Sequence, residues 1–205
     1  MFNYQRCTVH SYGTVTLNDT DDLLLARLGN GDYTSFEPLF LRHYDRVYRV
    51  LYGLVGSREA SEDLAQETFL ELHRRAAQLQ PNTSLGAWLC RVALNKGYNA
   101  LRDEKRARLK LESFATEQQD DPYAELLRAE DRARVRGVLS RLHERQARIL
   151  LMRYAGYPLA EMAAVIGVAP GSMGTLLARA EKAFVAAYQA MHPVEPKKLP
   201  EERKR

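Results

Sequence analysis

The side chains with chemistry to offer lie in two neighbouring blocks of opposite charge. Residues 84–108 read SLGAWLCRVALNKGYNALRDEKRAR, where Arg91, Lys96, Arg102, Lys105, Arg106 and Arg108 are opposed only by Asp103 and Glu104. Cations spaced along a rigid rod neutralise the phosphates of a polyanion. Just upstream, Glu59, Glu62, Asp63, Gln66, Glu67 and Glu71 make an acidic, amide-bearing row. Such a row docks a basic protein partner, or it is a solvated face whose acids sit near a positive helix start. The basic block has the same plain alternative, a charged surface in water. Catalysis has less behind it. The histidines His10, His43, His73, His143 and His192 are scattered, and neither HExxH nor a paired Glu-x-x-His set occurs. No enzymatic activity, metal or cofactor is expected.

Helical spacing positions both blocks. In the basic block Leu85, Trp88, Leu89, Val92, Ala93 and Leu101 form an apolar stripe, and Ser84 is a candidate N-cap. Trp88 lies on that stripe, which favours a core role over base stacking. The acidic row sits on a helix expected from Arg58 to about Leu79, with Leu64, Thr68, Leu72 and Ala76 inward and Ser57 as cap. Pro81-Asn82-Thr83 separates the two helices. An earlier helix starts near Asp32, carries Pro38 in its first turn and ends at Gly56. Its stripe is Phe36, Leu39, Phe40, Val47, Val50, Leu51, Leu54 and Val55. A short helix opens at Thr20-Asp21-Asp22 and stops at Gly29-Asn30-Gly31. Residues 1–19 show no helical period and read as an extension.

Beyond residue 110 the composition changes. Between 111 and 131 stand Glu112, Glu117, Asp120, Asp121, Glu125, Glu130 and Asp131, against Arg128 alone. Residues 111–128 therefore read as a flexible acidic linker. A second domain is expected over 129–191, with Val135, Val138, Leu139 and Leu142 on one helix and Ile149, Leu150 and Met152 on the next. Then comes PLAEMAAVIGVAPGSMGTLLARAEKAF. Leu159, Met162, Ala163 and Ile166 line a short helix, and Gly167 permits a left-handed corner. Val168 plugs the turn, Pro170 opens the next helix, and Met173, Leu177, Ala180 and Phe184 point inward. Small residue, glycine and apolar residue at these intervals form a helix-turn-helix pattern. Its outward residues Ser172, Gly174, Thr175, Ala178 and Arg179 include one cation. Residues 192–205, HPVEPKKLPEERKR, read as a disordered charged tail.

The 205 residues carry 45% apolar and 27% charged side chains, enough for one large or two small domains. A net charge of +4 is mild, so any nucleic-acid reading rests on where the charge sits. Cys7 and Cys90 are far apart, which argues for free thiols in a reducing compartment. No apolar run reaches membrane length and the N-terminus has no apolar signal core. A soluble, cytoplasmic, all-α protein of two small helical domains is expected.

The two halves together resemble the extracytoplasmic-function sigma factors of the sigma-70 family, small two-domain subunits that direct bacterial RNA polymerase to promoters. The likeness is carried by Glu62-Asp63-Leu64 with Gln66-Glu67-Thr68-Phe69-Leu70, Trp88-Leu89 with Arg91 and Asn95, and Leu101-Arg102 with Arg106. In the second half it is carried by Arg153, Glu161-Met162-Ala163, Gly167, Gly171, Arg179 and Ala180. The resemblance implies a region 2-like bundle over 20–110 and a region 4-like helix-turn-helix over 129–191. It implies that Glu62, Asp63, Gln66 and Glu67 dock on core polymerase, whose β′ and β subunits become partners. It assigns the minus-ten promoter element to Asn82, Thr83, Ser84, Arg91, Asn95, Lys96, Arg102, Lys105 and Arg106, with a base flipped out of the duplex. It assigns the minus-thirty-five element to Gly171, Ser172, Gly174, Thr175 and Arg179. The linker would follow the polymerase's RNA-exit path, and an anti-sigma factor is a further partner left open; membrane insertion is not implied.

The second recognition stretch departs from the family. Where GTVKSRLxRAR is usual, this chain reads GSMGTLLARAE, with Gly174, Leu176 and Glu181 replacing cations. Each loss removes a phosphate contact. Promoter choice therefore does not carry over, and the basic helix is expected to matter more for DNA than Arg179. Two other readings stand beside this one: a helix-turn-helix regulator that works without polymerase through a sensory or dimerising bundle, and a sigma-like protein that holds polymerase but reads DNA poorly.

Overall fold

The structure is a computed structural model that describes residues 19–80, 83–110 and 124–193. Among the described residues it is built of α-helices and short 3-10 turns, with no strand. The extension, most of the linker, Asn82 and the tail beyond Pro193 lie outside the described residues.

The first unit comprises α1 (Asp21–Gly29), α2 (Phe36–Val55), α3 (Arg58–Arg75) and α4 (Leu85–Lys110). Local chemistry sets the ends. The Thr20 hydroxyl accepts from the Leu23 N–H and the Ser57 hydroxyl from the Ala60 N–H, each satisfying a free donor of a first helical turn. Gly56 closes α2 in the left-handed region at φ 80°, where a Cβ would be strained. Inside the unit Leu24, Leu39, Leu51, Phe69, Leu72 and Leu89 are buried. Each such side chain contributes about 1.5–3 kcal/mol on burial. Trp88 packs half-buried against this core, as its stripe position predicts.

A polar clamp fastens α1 to α2. His43, buried in α2, lies with Nε2 2.7 Å from Asp21 Oδ2, and Arg46 donates to its Nδ1 at 3.2 Å. Arg42 pairs with the same aspartate. Burial alone would raise the Asp21 carboxyl, but the hydrogen bond and charge of His43, with those of Arg42, outweigh it and hold the group below its ordinary 3.8.

The second unit comprises α5 (Ala124–Leu139), α6 (Glu144–Tyr154), α7 (Leu159–Ile166) and α8 (Met173–Met191). Gly167 adopts φ 76° and donates to the Ala163 carbonyl, so the chain turns sharply after α7. Pro170 opens a 3-10 turn and α8 follows, bent 102° from α7. Met162, Ala163, Met173 and Ala180 are buried in this corner and Val168 packs partly against it, as the helix-turn-helix pattern predicts. No single described helix is long and apolar enough to cross a membrane.

Several boundaries differ from the sequence expectation. α3 tightens into a 3-10 turn at Ala76–Gln78 rather than running to Leu79. α5, described from Ala124, takes in the last residues of the stretch expected as linker; Ala-Glu-Leu-Leu are good helix formers. Leu142 falls beyond the end of α5. Leu159, the first residue of α7, is exposed, and Val165 takes the inward place expected for it.

The two units share a core. Val50, Cys90 and Leu94 of the first unit are buried in one cluster with Ile149, Met152, Tyr157 and Met162 of the second. α7 lies on α4, and α6 on α2.

Candidate nucleic-acid interface

α3 buries Ser61, Ala65, Thr68, Phe69 and Leu72, which leaves Asp63, Gln66 and Glu67 exposed one turn apart. Glu62 is half-buried and accepts from Arg58 at 2.9 Å. Leu70 completes the row, one turn beyond Gln66, and is 51% exposed. The sequence reading leaves it off this face; the burial of Phe69 and Leu72 on either side turns it outward. The result is an acidic surface around one apolar side chain.

α4 presents two faces rather than one. Arg91, Asn95, Tyr98 and Arg102 form a row at intervals of three and four, with Lys105 and Arg106 exposed at its end. Lys96 lies off this row; its ammonium reaches Glu67 of α3 at 2.7 Å. The row is engaged by the second unit. Arg91 Nη2 donates to the Ala164 carbonyl at 2.6 Å, and Arg148 Nη2 donates to Asn95 Oδ1 at 3.5 Å. The Arg148 guanidinium also stands 4.9 Å from the Tyr98 ring centre, and Arg102 lies 4.0 Å from Glu144. Arg106 approaches Asp103 at 3.4 Å, within its own helix.

Two small polar residues, Thr83 and Ser84, lead into α4. Ser84 is exposed, and its carbonyl takes the first helical bond, from Trp88 N–H at 2.9 Å. The Thr83 hydroxyl donates to the Gln80 carbonyl at 2.6 Å. Asn82, also assigned to this element from sequence, is outside the described residues. Below them Cys90 is fully buried and within hydrogen-bond reach of the Tyr157 hydroxyl; burial pushes its thiol up to about 12. It is a core residue, not a reactive one.

In the second unit Gly171, Ser172, Gly174, Thr175 and Arg179 are all exposed around the first turns of α8. Nothing lies within 4 Å of the space a Cβ would take at Gly171 or Gly174. Among the described residues no group of three or more His, Cys, Asp or Glu is placed to hold a metal ion.

Comparison with known proteins follows the same division. The family model described as Sigma-70 region 2 matches residues 39–107, and that described as Sigma-70, region 4 matches residues 132–184. The ECF RNA polymerase sigma factor SigE of Mycolicibacterium smegmatis is 31% identical over 168 residues, 78% of this chain and 64% of that one. The chain thus spans just under two thirds of that relative. RNA polymerase sigma factor CarQ of Myxococcus xanthus is 29% identical over 155 residues, covering 72% of this chain and 86% of CarQ. Among solved structures, CnrH in complex with the cytosolic domain of CnrY aligns with TM-score 0.63 at 23% identity, covering 84% of this chain and 99% of that one. RpoE in complex with the anti-sigma factor NepR from Bartonella quintana aligns with TM-score 0.56 at 19% identity, covering 76% and 98%. These two likenesses describe the fold. Both helical regions of a sigma-70 type protein are present, in order. The chain belongs to the extracytoplasmic-function (ECF) sigma factors of the sigma-70 family, which are initiation factors and not enzymes.

Proposed function

We propose that this protein binds bacterial core RNA polymerase in the cytoplasm, directs it to a set of promoters and helps open the minus-ten region. The observation that carries this reading is the pairing of an exposed acidic row on α3 with a basic row on the adjacent α4. Glu62, Asp63, Gln66, Glu67 and Leu70 form the polymerase-docking face, against the β′ subunit. Thr83, Ser84, Arg91, Asn95, Arg102, Lys105 and Arg106 hold the minus-ten strand, cations on phosphate and small polar groups on an extruded base. Asn82, outside the described residues, is assigned with them from the sequence. Lys96, turned toward α3, acts by fixing Glu67 rather than as a DNA contact. Gly171, Ser172, Gly174, Thr175 and Arg179 meet the minus-thirty-five duplex, with weak charge and close backbone approach. The domain limits are 20–110 and 129–191, with α5 extending the second unit back to Ala124. An anti-sigma factor is a further partner, supported by the likeness in fold to RpoE, whose structure is a complex with the anti-sigma factor NepR.

The test is transcription in vitro. Core bacterial polymerase plus this protein starts at a discrete set of genomic promoters, while the protein alone binds them weakly. Failure of core polymerase to retain the protein on gel filtration sinks the reading. Strong promoter binding without polymerase would favour a helix-turn-helix regulator instead.

A further inference from the structure

Along the seam between the two units a cleft of about 510 Å³ stays open. Its walls are α2 of the first unit and α5, α6 and α8 of the second. Sites that take small organic molecules run from about 300 to 1,000 Å³ and are mostly apolar, with a few placed polar groups. This cleft has that make-up. Leu139, Leu150 and Phe184 line it, and Val135, Tyr154 and Val185 stand around it 40%, 73% and 51% exposed. Single apolar side chains in water need no explanation, but three from three different helices around one opening form a patch.

Two glycines of α2 shape the site. A Cβ at Gly53 would come within 2.8 Å of a Leu151 methyl, so α2 and α6 already touch there and form a floor. A Cβ at Gly56 would strike the Arg136 side chain, which therefore lies directly against the end of α2. The charges around the cleft differ in what they are committed to. Asp131 pairs with Arg134 of its own helix at 3.5 Å, and Glu181 is exposed. Arg132 donates to the Tyr52 hydroxyl at 3.1 Å and stands 5.6 Å from the centre of that ring. Arg136 is half-buried, and no carboxylate pairs with it among the described residues. A guanidinium keeps its charge in such a place and offers a planar fork of donors that matches a carboxylate.

We propose that this cleft binds a small amphipathic carboxylate, of which a medium-chain fatty acid is the simplest form. The chain lies among Leu139, Leu150 and Phe184, and the carboxylate meets Arg136. None of the residues assigned to polymerase or promoter DNA lines the cleft, so the site stands independently of that reading. Because its walls come from both units, a bound molecule ties them together and stabilises the fold by mass action.

Decanoate, titrated into the full-length protein by isothermal calorimetry, is the test. It should bind with a Kd on the order of 100 μM, and at saturation it should raise the melting temperature by a few degrees. Octanoate, shorter by two CH2 groups, should bind about tenfold more weakly. Decyltrimethylammonium, with the same chain and the opposite charge, should also be weaker by about tenfold. Val185→Trp fills the opening from an exposed position, so circular dichroism should be unchanged while decanoate binding falls at least about tenfold. Arg136→Gln should weaken decanoate by about tenfold and leave decyltrimethylammonium where it was. Absence of decanoate binding, or equal binding to the Val185→Trp protein, overturns the site. Decyltrimethylammonium binding as tightly as decanoate, or decanoate indifferent to Arg136→Gln, overturns the carboxylate assignment. Decanoate binding only after deletion of residues 2–18 or 194–205 would give the cleft to an end of this chain. A dimer that Val185→Trp converts to monomer on sedimentation would give it to a second copy. Either result overturns the proposal.

Discussion

Lys96 Nζ lies 2.7 Å from Glu67 Oε2, joining the acidic row of α3 to the basic helix that follows it. The carboxylate is more than half exposed, so the pair is a surface one worth at most about 1 kcal/mol. Its larger effect is on orientation, because it fixes Glu67 beside Asp63 and Gln66. Glu67→Gln should therefore lower the melting temperature by only a few degrees. Asp63→Arg, Gln66→Ala and Leu70→Glu should leave melting unaltered and weaken retention by core polymerase on gel filtration. Loss of stability without loss of polymerase binding would remove the docking assignment.

Promoter activity should depend more on α4 than on α8. Replacing Arg102, Lys105 and Arg106 together by Gln removes three exposed cations from the end of the α4 row. The log–log salt dependence of promoter binding by holoenzyme should flatten by about two to three units. Arg179→Ala should cost less activity in the same transcription assay. The reverse ranking would place the main DNA contact in the second unit.

Gly174 offers a gain of function. It is exposed in the first turn of α8 with open space where a side chain would go. Gly174→Ala should stabilise α8 by about 0.5–1 kcal/mol. Gly174→Lys should do nearly as much and also steepen the salt dependence of minus-thirty-five duplex binding by about one unit. A duplex affinity unmoved by the lysine would show that this turn does not face DNA.

The clamp between Asp21 and His43 makes acid stability predictable in sign. The folded Asp21 carboxyl sits below its ordinary 3.8, so its stabilisation is fully present above that value and is lost as pH falls toward the lower folded one. Urea midpoints measured downward from pH 5 should fall through this window, and the fall should be shallower in Asp21→Asn. At neutral pH that variant should itself lose about 2 kcal/mol, since it weakens charge-assisted bonds to His43 and Arg42.

The helix-turn-helix was legible because its determinants are local. Gly167 must be left-handed, Ala163 must be small, and Pro170 must follow, all within eight residues. The acidic row was legible too, since charge at helical spacing declares an outward face. The seam was not. Cys90 and Leu94 announce that they are buried, but periodicity cannot say by what. Arg91 is the outward cation it reads as, but its partner 73 residues away is a main-chain carbonyl that any residue type would supply. Gly53 and Gly86 read as weak points in helices until Leu151 and Glu161 stand against them. The facing of Lys96 is hidden for a related reason: its charge is visible in the sequence, but its pairing with Glu67 depends on where α3 lies.

Trp88 is the one tryptophan in the chain, and it packs against the first core at the opening turn of α4. The protein therefore carries a single indole, four residues from Ser84, beside its eleven tyrosines. Its emission is sensitive to the polarity around the start of α4. Intrinsic fluorescence can follow the loading of that turn in real time, on unlabelled protein.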